Sequence, residues 1–287
     1  MLLVSQGEHP LTFKGLGKKD WLHRAYLSDN EKQKIECLSN ALFDDPEDGH
    51  VWHTIGDKYA DFDSEKADYC WNQAATAYLK RLDKFKDDAK KYRKDSSHLL
   101  FMDVTTSDVI QLIASMYFSL GSTYMNLKKW SFAIEAYNQS YSINDNPDCL
   151  YFTAEACLNL KDYDRSEELL RKNIEITWEY RAYYLLGIVL WRKNQFHEAQ
   201  HCFWSCIDVA FDDADSNYYK HLAYRALGNS KKTEFYLKKA FECEPNTARV
   251  FDLISFYEEA RDSKKCKKYY AIAHELHKKS QIKEVQK

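Results

Sequence analysis

Between Ala114 and Ser140 the apolar residues return at helical intervals rather than alternating as they would along strands. Leu120, Tyr124 and Leu127 share one face at i, i+4, i+7 spacing, and Ala133, Tyr137 and Ser140 form a small-large-small stripe on a second helix. Gly121 has no side chain, so that second helix can approach closely. The run Asn144-Asp145-Asn146-Pro147 then ends the hairpin, because proline restricts the residue before it and cannot continue a helix.

The pattern repeats down the chain. Ala154, Cys157 and Leu160 lead to Ser166 and Leu170; Leu186-Gly187 and Leu190 lead to Ala199, Phe203 and Cys206. Tyr224 and Leu227-Gly228-Asn229 precede Thr233, Leu237, Ala240 and Pro245, and a further unit holds Leu253, Tyr257, Cys266, Tyr270 and Ala273. Five aromatic residues mark the same place in successive units: Phe118, Tyr151, Tyr184, Tyr218 and Phe251, at intervals of 33, 33, 34 and 33. A period of this size predicts stacked helical hairpins in which equivalent residues form a row. Upstream, Trp52, Ile55-Gly56, Tyr59, Ala67, Trp71 and Ala74 make an earlier unit. Leu38, Ala41 and Pro46 read as the second helix of a degenerate one.

One stretch breaks the period. No helix breaker lies between Ser64 and Lys94, which predicts a second helix of about 30 residues, or roughly 45 Å. Tyr78, Leu82, Phe85, Ala89 and Tyr92 form a 4-3-4-3 stripe on it. After the polar run Arg93 to Ser97, Thr106-Ser107-Asp108 opens a helix whose Val109, Ile110, Ile113 and Met116 are expected to cover that stripe. Self-association through the 78–92 helix is the alternative cover. The chain thus divides into an N-terminal segment 1–17, a degenerate hairpin 18–48, a unit with an extended second helix 49–93, a linker 94–106, five repeats 107–279 and a polar tail 280–287.

Eight glycines and four prolines in 287 residues leave few breakers, which agrees with a helical array. The residues quoted above resemble the tetratricopeptide repeat (TPR) family, whose unit of about 34 residues is a helix–turn–helix. That family carries Leu-Gly/Ala and Tyr on the first helix, small-aromatic-Ala on the second, and a closing Pro. The resemblance covers residues 114–279 as five units. It implies an all-α fold, a right-handed α-solenoid of TPR-like helix-turn-helix repeats. Thr153 and Lys220-His221 depart from it in place of the Leu-Gly pair, as does Ser230 in place of the aromatic after the turn.

The resemblance also implies that first helices line a concave surface. On that basis Phe118, Tyr151, Tyr184, Tyr218 and Phe251 form a ladder in the groove, with His53 at the equivalent earlier place. Ser122, Glu155, Ile188, Leu222 and Ser255 lie one turn on, then Trp191 and Arg225. Aromatic rings offer large contact area at low entropic cost, and tyrosine hydroxyls satisfy backbone polar groups, so this surface suits an extended or helical peptide. The competing reading is that the row packs between neighbouring first helices and stabilises the stack. The chaperone-tail clamp of some TPR domains does not fit. Phe or Tyr stands where those clamps use lysine, and Asp57, Ser122 or Glu155 where they use asparagine.

His197-Glu198-Ala199-Gln200-His201 matches H-E-x-x-H, which would make a zinc hydrolase. Repeat phase argues against it, because Ala199 is the small buried residue opening a second helix and no third ligand stands out. Neither a phosphate-binding glycine loop nor a nucleophile–base pair is present, so the chain reads as non-catalytic, with no cofactor or metal.

The net charge of −3 sets up no field toward nucleic acid or an anionic membrane. RNA stacking on the aromatic row is the alternative function, opposed by that charge and by Glu155. Residues 261–287 are nevertheless basic, with nine Lys/Arg against three acidic residues. The longest apolar stretch, Ala182 to Trp191, is about half the length needed to cross a bilayer. Of the eight cysteines, Cys37, Cys70, Cys157, Cys206, Cys243 and Cys266 read as apolar fillers in helices, without a disulfide framework. A cytoplasmic location, a protein or peptide partner and no membrane partner are the resulting expectations.

Overall fold

The computed structural model describes residues 17–28, 30–60, 62–94 and 106–282, with side chains described for these except 88–94, 106–107 and 277–282. Among the described residues fourteen helices and no strand make an all-α solenoid of paired helix-turn-helix repeats. Residues 1–156 and 157–287 form two compact units.

In the first unit α1 (Lys18–Leu27) pairs with α2 (Glu31–Asp44), α3 (Gly49–Tyr59) with α4 (Ser64–Lys94), and α5 (Thr106–Asn126) with α6 (Trp130–Asn144). Its core joins Leu38, Ala41, Trp52, Ile55, Ala74, Tyr78 and Leu82 to Met116 and Leu120, with Phe85 and Ile113 packed against it. The long helix is therefore covered by α5, as its stripe requires. Tyr78, Leu82 and Phe85 are not open to a second copy of the chain; Ala89 and Tyr92 lie outside the described side chains. Ile110 is 45% exposed and is not among the residues packed against that core.

Helix α7 (Pro147–Asn159) carries the chain into the second unit. There α8 (Tyr163–Thr177), α9 (Tyr180–Arg192), α10 (Phe196–Val209), α11 (Ala214–Ala226), α12 (Ser230–Cys243), α13 (Thr247–Glu259) and α14 (Ser263–Ile282) each pack on the next, and α9 also touches α11. Such nearest-neighbour packing is what a repeat array requires.

The turns inside the repeats are built alike. Lys128, Lys161, Asn194, Gly228 and Arg261 all take left-handed φ between 55° and 74°. After each, an amide donates five residues back: Lys129 to Tyr124, Asp162 to Cys157, Gln195 to Leu190, Asn229 to Tyr224 and Asp262 to Tyr257, at 2.8–2.9 Å. These bonds satisfy carbonyls at the helix end that the helix leaves free.

Some residues assigned to the buried stripe face water. Leu160 is 45% exposed, since it already lies in the last turn before Lys161 reverses the chain. Tyr269, not Tyr270, fills the core of the last hairpin by stacking on Tyr257 at 5.4 Å. Cys243, at the end of α12, is exposed rather than a filler, whereas Cys37, Cys70, Cys149, Cys157 and Cys206 are buried.

Candidate partner-binding site

The first-helix aromatics divide their surface between neighbours and solvent. In the first unit Phe118 is half-buried, its ring edge-on to Tyr137 of α6 at 5.4 Å and to Phe152 of α7 at 5.6 Å. Tyr137 and Phe152 stack at 5.5 Å. Tyr151 is buried and packs edge-on to Phe152 at 5.2 Å. Burial pushes the Tyr137 phenol up, as does the nearby Glu155, while Ser122 opposes the shift. Ser122 and Glu155 are themselves half-buried.

His53, on α3, is tied into the joint between helices. Its Nδ1 lies 2.8 Å from Thr123 Oγ1 on α5, and its Nε2 lies 3.3 Å from the Asp57 carboxylate. Asp57 also accepts from Trp71 Nε1 and from Asn126 Nδ2, each at 3.0 Å. Burial holds the His53 imidazole below its ordinary pKa, against the pull of Asp57.

In the second unit Tyr184 repeats the Phe118 arrangement one two-repeat step on. It is half-buried, tilted against Phe203 of α10 at 5.9 Å and edge-on to Tyr219 of α11 at 5.6 Å. Burial pushes its phenol up to about 12. Tyr218 lies against His221 at 5.4 Å. Burial raises the Tyr218 phenol and the Asp252 carboxyl, and the Asp252 charge raises the phenol further. Arg225 Nη2 donates to Glu259 at 2.5 Å, and its charge reaches Tyr184, Tyr218, His221 and Asp252.

Two members stand clear of this packing. Phe251 of α13 is 53% exposed, and Trp191 of α9 is 44% exposed with one edge against Phe196 at 4.9 Å. Ile188 and Leu222 are half-buried, and Ser255 is exposed.

Sequence reasoning missed Phe152 and Tyr219, the rings one residue beyond the row that bridge one first helix to the next. Their signal is weak, since Leu185 and Asp252 occupy the same place in other repeats.

The histidines of the H-E-x-x-H segment are exposed on α10, and Glu198 is bonded to Arg171 at 3.2 Å. Among the described residues no group of three or more His, Cys, Asp or Glu side chains is placed to hold a metal. No described helix is long and apolar enough to cross a membrane.

Residues 114–147 and 180–213, the hairpins headed by Phe118 and Tyr184, match the Tetratricopeptide repeat family model. Those two hairpins are tetratricopeptide repeats, and the helices around them repeat the same helix-turn-helix arrangement. A comparison with curated proteins finds no match. Among solved structures, this chain is similar to a thermophilic TPR protein of Thermus thermophilus, at 20% identity and TM-score 0.49 over 56% of this chain and 90% of that one. It is also similar to a tetratricopeptide repeat protein of Parabacteroides merdae, at 15% identity and TM-score 0.48 over 90% of this chain and 92% of that one. PilF of Pseudomonas aeruginosa is matched at 12% identity and TM-score 0.43 over 81% of this chain and 92% of that one.

Proposed function

We propose that this protein is a non-catalytic interaction module, an adaptor, chaperone or scaffold, that holds an extended or helical segment of a partner protein on the first helices of residues 157–287. Tyr184, Tyr218 and Phe251 would form the contact with Trp191, Leu222 and Arg225. The observation that carries the reading is the exposure of Phe251 and Trp191, large rings at 53% and 44% that the core does not use. Such rings gain most from burial against a partner. Arg225 and Glu259 supply a charged flank for orienting polar groups. Phe118, Tyr151, Glu155, Ser122 and His53 belong to the same row in the first unit, where packing already claims much of their surface. The proposal places the protein in the cytoplasm, where reducing conditions keep its eight thiols free.

The test is a crosslinking pull-down from native lysate with quantitative mass spectrometry, comparing the wild type with Trp191→Ala/Phe251→Ala. Partners retained by the wild type should be lost by the double variant while its helicity and melting stay unchanged. Equal retention by both proteins would remove the reading.

A further inference from the structure

Away from the first-helix face, α14 carries a one-sided charge. Lys264, Lys267, Lys268 and His274 are all exposed, and their spacing puts them on one side of the helix, opposite the buried Tyr269 and Ala273. Glu275 is the acidic residue of that side. Lys265, at the edge, is neutralised by Glu234 at 3.0 Å and Asp262 at 3.6 Å. Among the described residues Lys264, Lys267 and Lys268 have no ion pair; the Lys268 ammonium sits 5.6 Å over the Tyr269 ring. Surface lysines usually find carboxylates on neighbouring turns, as Lys238 finds Glu234 at 2.7 Å. On α14 the sequence withholds them.

We propose that this face of α14 is a docking surface for a short acidic segment of a partner protein. Charge complementarity selects the occupant, and three observations separate it from other polyanions. The stretch Lys264 to His274 is about 15 Å long, which about five extended residues span. Second, residues 261–287 carry +6 in a chain of net −3, so the rest carries −9. A long nucleic acid would meet that charge. A short segment stays within the Debye length of about 8 Å and feels the local lysines. Third, the only ring on the face is the small imidazole of His274, with no exposed Tyr, Trp or Phe for base stacking and no large apolar side chain for insertion into a bilayer among its described residues. Tyr270 lies on the other flank, its hydroxyl donating to Glu258 at 2.9 Å.

The experiment is a fluorescence-anisotropy titration of the full chain with a labelled oligoglutamate peptide of about six residues. Saturable binding is expected, weakening as salt rises from ~0.05 M to ~0.3 M. Lys264→Glu/Lys267→Glu/Lys268→Glu should weaken it by roughly tenfold or more, and Glu275→Gln should tighten it. Circular dichroism should be unchanged in both, since these side chains are exposed. The proposal is overturned if the peptide does not bind, or if the triple variant binds equally well. It is also overturned if oligouridylate or phosphatidylserine vesicles bind more tightly than the peptide. None of these outcomes depends on Trp191 or Phe251.

Discussion

Gly187 of α9 lies directly under the ring of Phe203 on α10: a β-carbon at Gly187 would sit 2.5 Å from Phe203 Cε1. The equivalent pair one two-repeat step earlier is Gly121 and Tyr137, with the same close approach at 2.7 Å. In each case an absent side chain on the first helix makes room for a large ring on the second. Where the first helix carries more bulk, as at Ala154 and His221, the second-helix place holds Leu170 and Leu237 instead of a ring, and all four are buried. In these four hairpins the two places vary together, as close packing requires; in the last, Ile254 is buried and the ring at the second place, Tyr270, turns outward.

Gly187→Ala should therefore destabilise the fold by about 1–3 kcal/mol, because a methyl group forces the Phe203 ring to move. Urea unfolding followed by circular dichroism would show it. Gly187→Ala combined with Phe203→Leu should recover part of the loss, as the Ala154 and Leu170 pair shows that combination fits.

The left-handed turn residues offer the opposite effect. Lys128 and Lys161 hold φ of 56° and 64°, where a β-carbon is crowded. Lys128→Gly and Lys161→Gly should each raise stability by up to about 1 kcal/mol, read as a higher urea midpoint.

His221 gives the second unit a pH dependence. It is 3% exposed, its Nδ1 has no hydrogen-bond partner, and burial together with Arg225 pushes its pKa down to about 4. A folded pKa below the unfolded value means the unfolded chain binds more protons, so stability is full above about pH 6.5 and is lost as the pH falls toward 4. Between pH 7 and 5 the loss should be about 2 kcal/mol, and His221→Leu should flatten it. Glu234 acts in a lower window. The bond from Lys238, then those from Tyr257 and Lys265, hold it at about 2, so its contribution disappears as the pH falls from about 4.5 to 2.

Thiol reactivity should follow burial. Maleimide under native conditions is expected to label exposed Cys243 first, with Cys202 and Cys266 slower. Cys70 and Cys206, each pushed up to about 12 by burial, should react only after denaturation. Intact-mass spectrometry over time distinguishes the classes.

The stability cost of the row should also differ by position. Tyr184→Ala removes a ring packed on Phe203 and Tyr219 and should lower the melting temperature, whereas Phe251→Ala should leave it nearly unchanged. Differential scanning calorimetry of the two variants checks this.

Much of this architecture was legible in one dimension, because helix pairing in a repeat array is local. The small residues at Gly56, Gly121 and Gly187 and the rings at Trp71, Tyr137 and Phe203 recur in phase, and each pair meets within its own hairpin. The candidate site was harder to read. Tyr184 and Phe251 occupy the same repeat place, yet one is held between Phe203 and Tyr219 and the other stands in solvent. The difference arises because Tyr219 of the next first helix, α11, packs on Tyr184, whereas among the described residues no further first helix follows α13 to cover Phe251. Leu160 and Tyr270 were misplaced for a related reason, since a shift of one residue turns a helical side chain by about 100°.

Period and composition alone thus settled the helical hairpins and the pairing of small with large residues, because each depends on contacts a few tens of positions apart. How much of each ring remains for a partner, and which lysines on α14 go without a carboxylate, emerged only once the helices were packed. Exposure and charge pairing belong to surfaces assembled from several helices at once, and no single stretch of chain contains them.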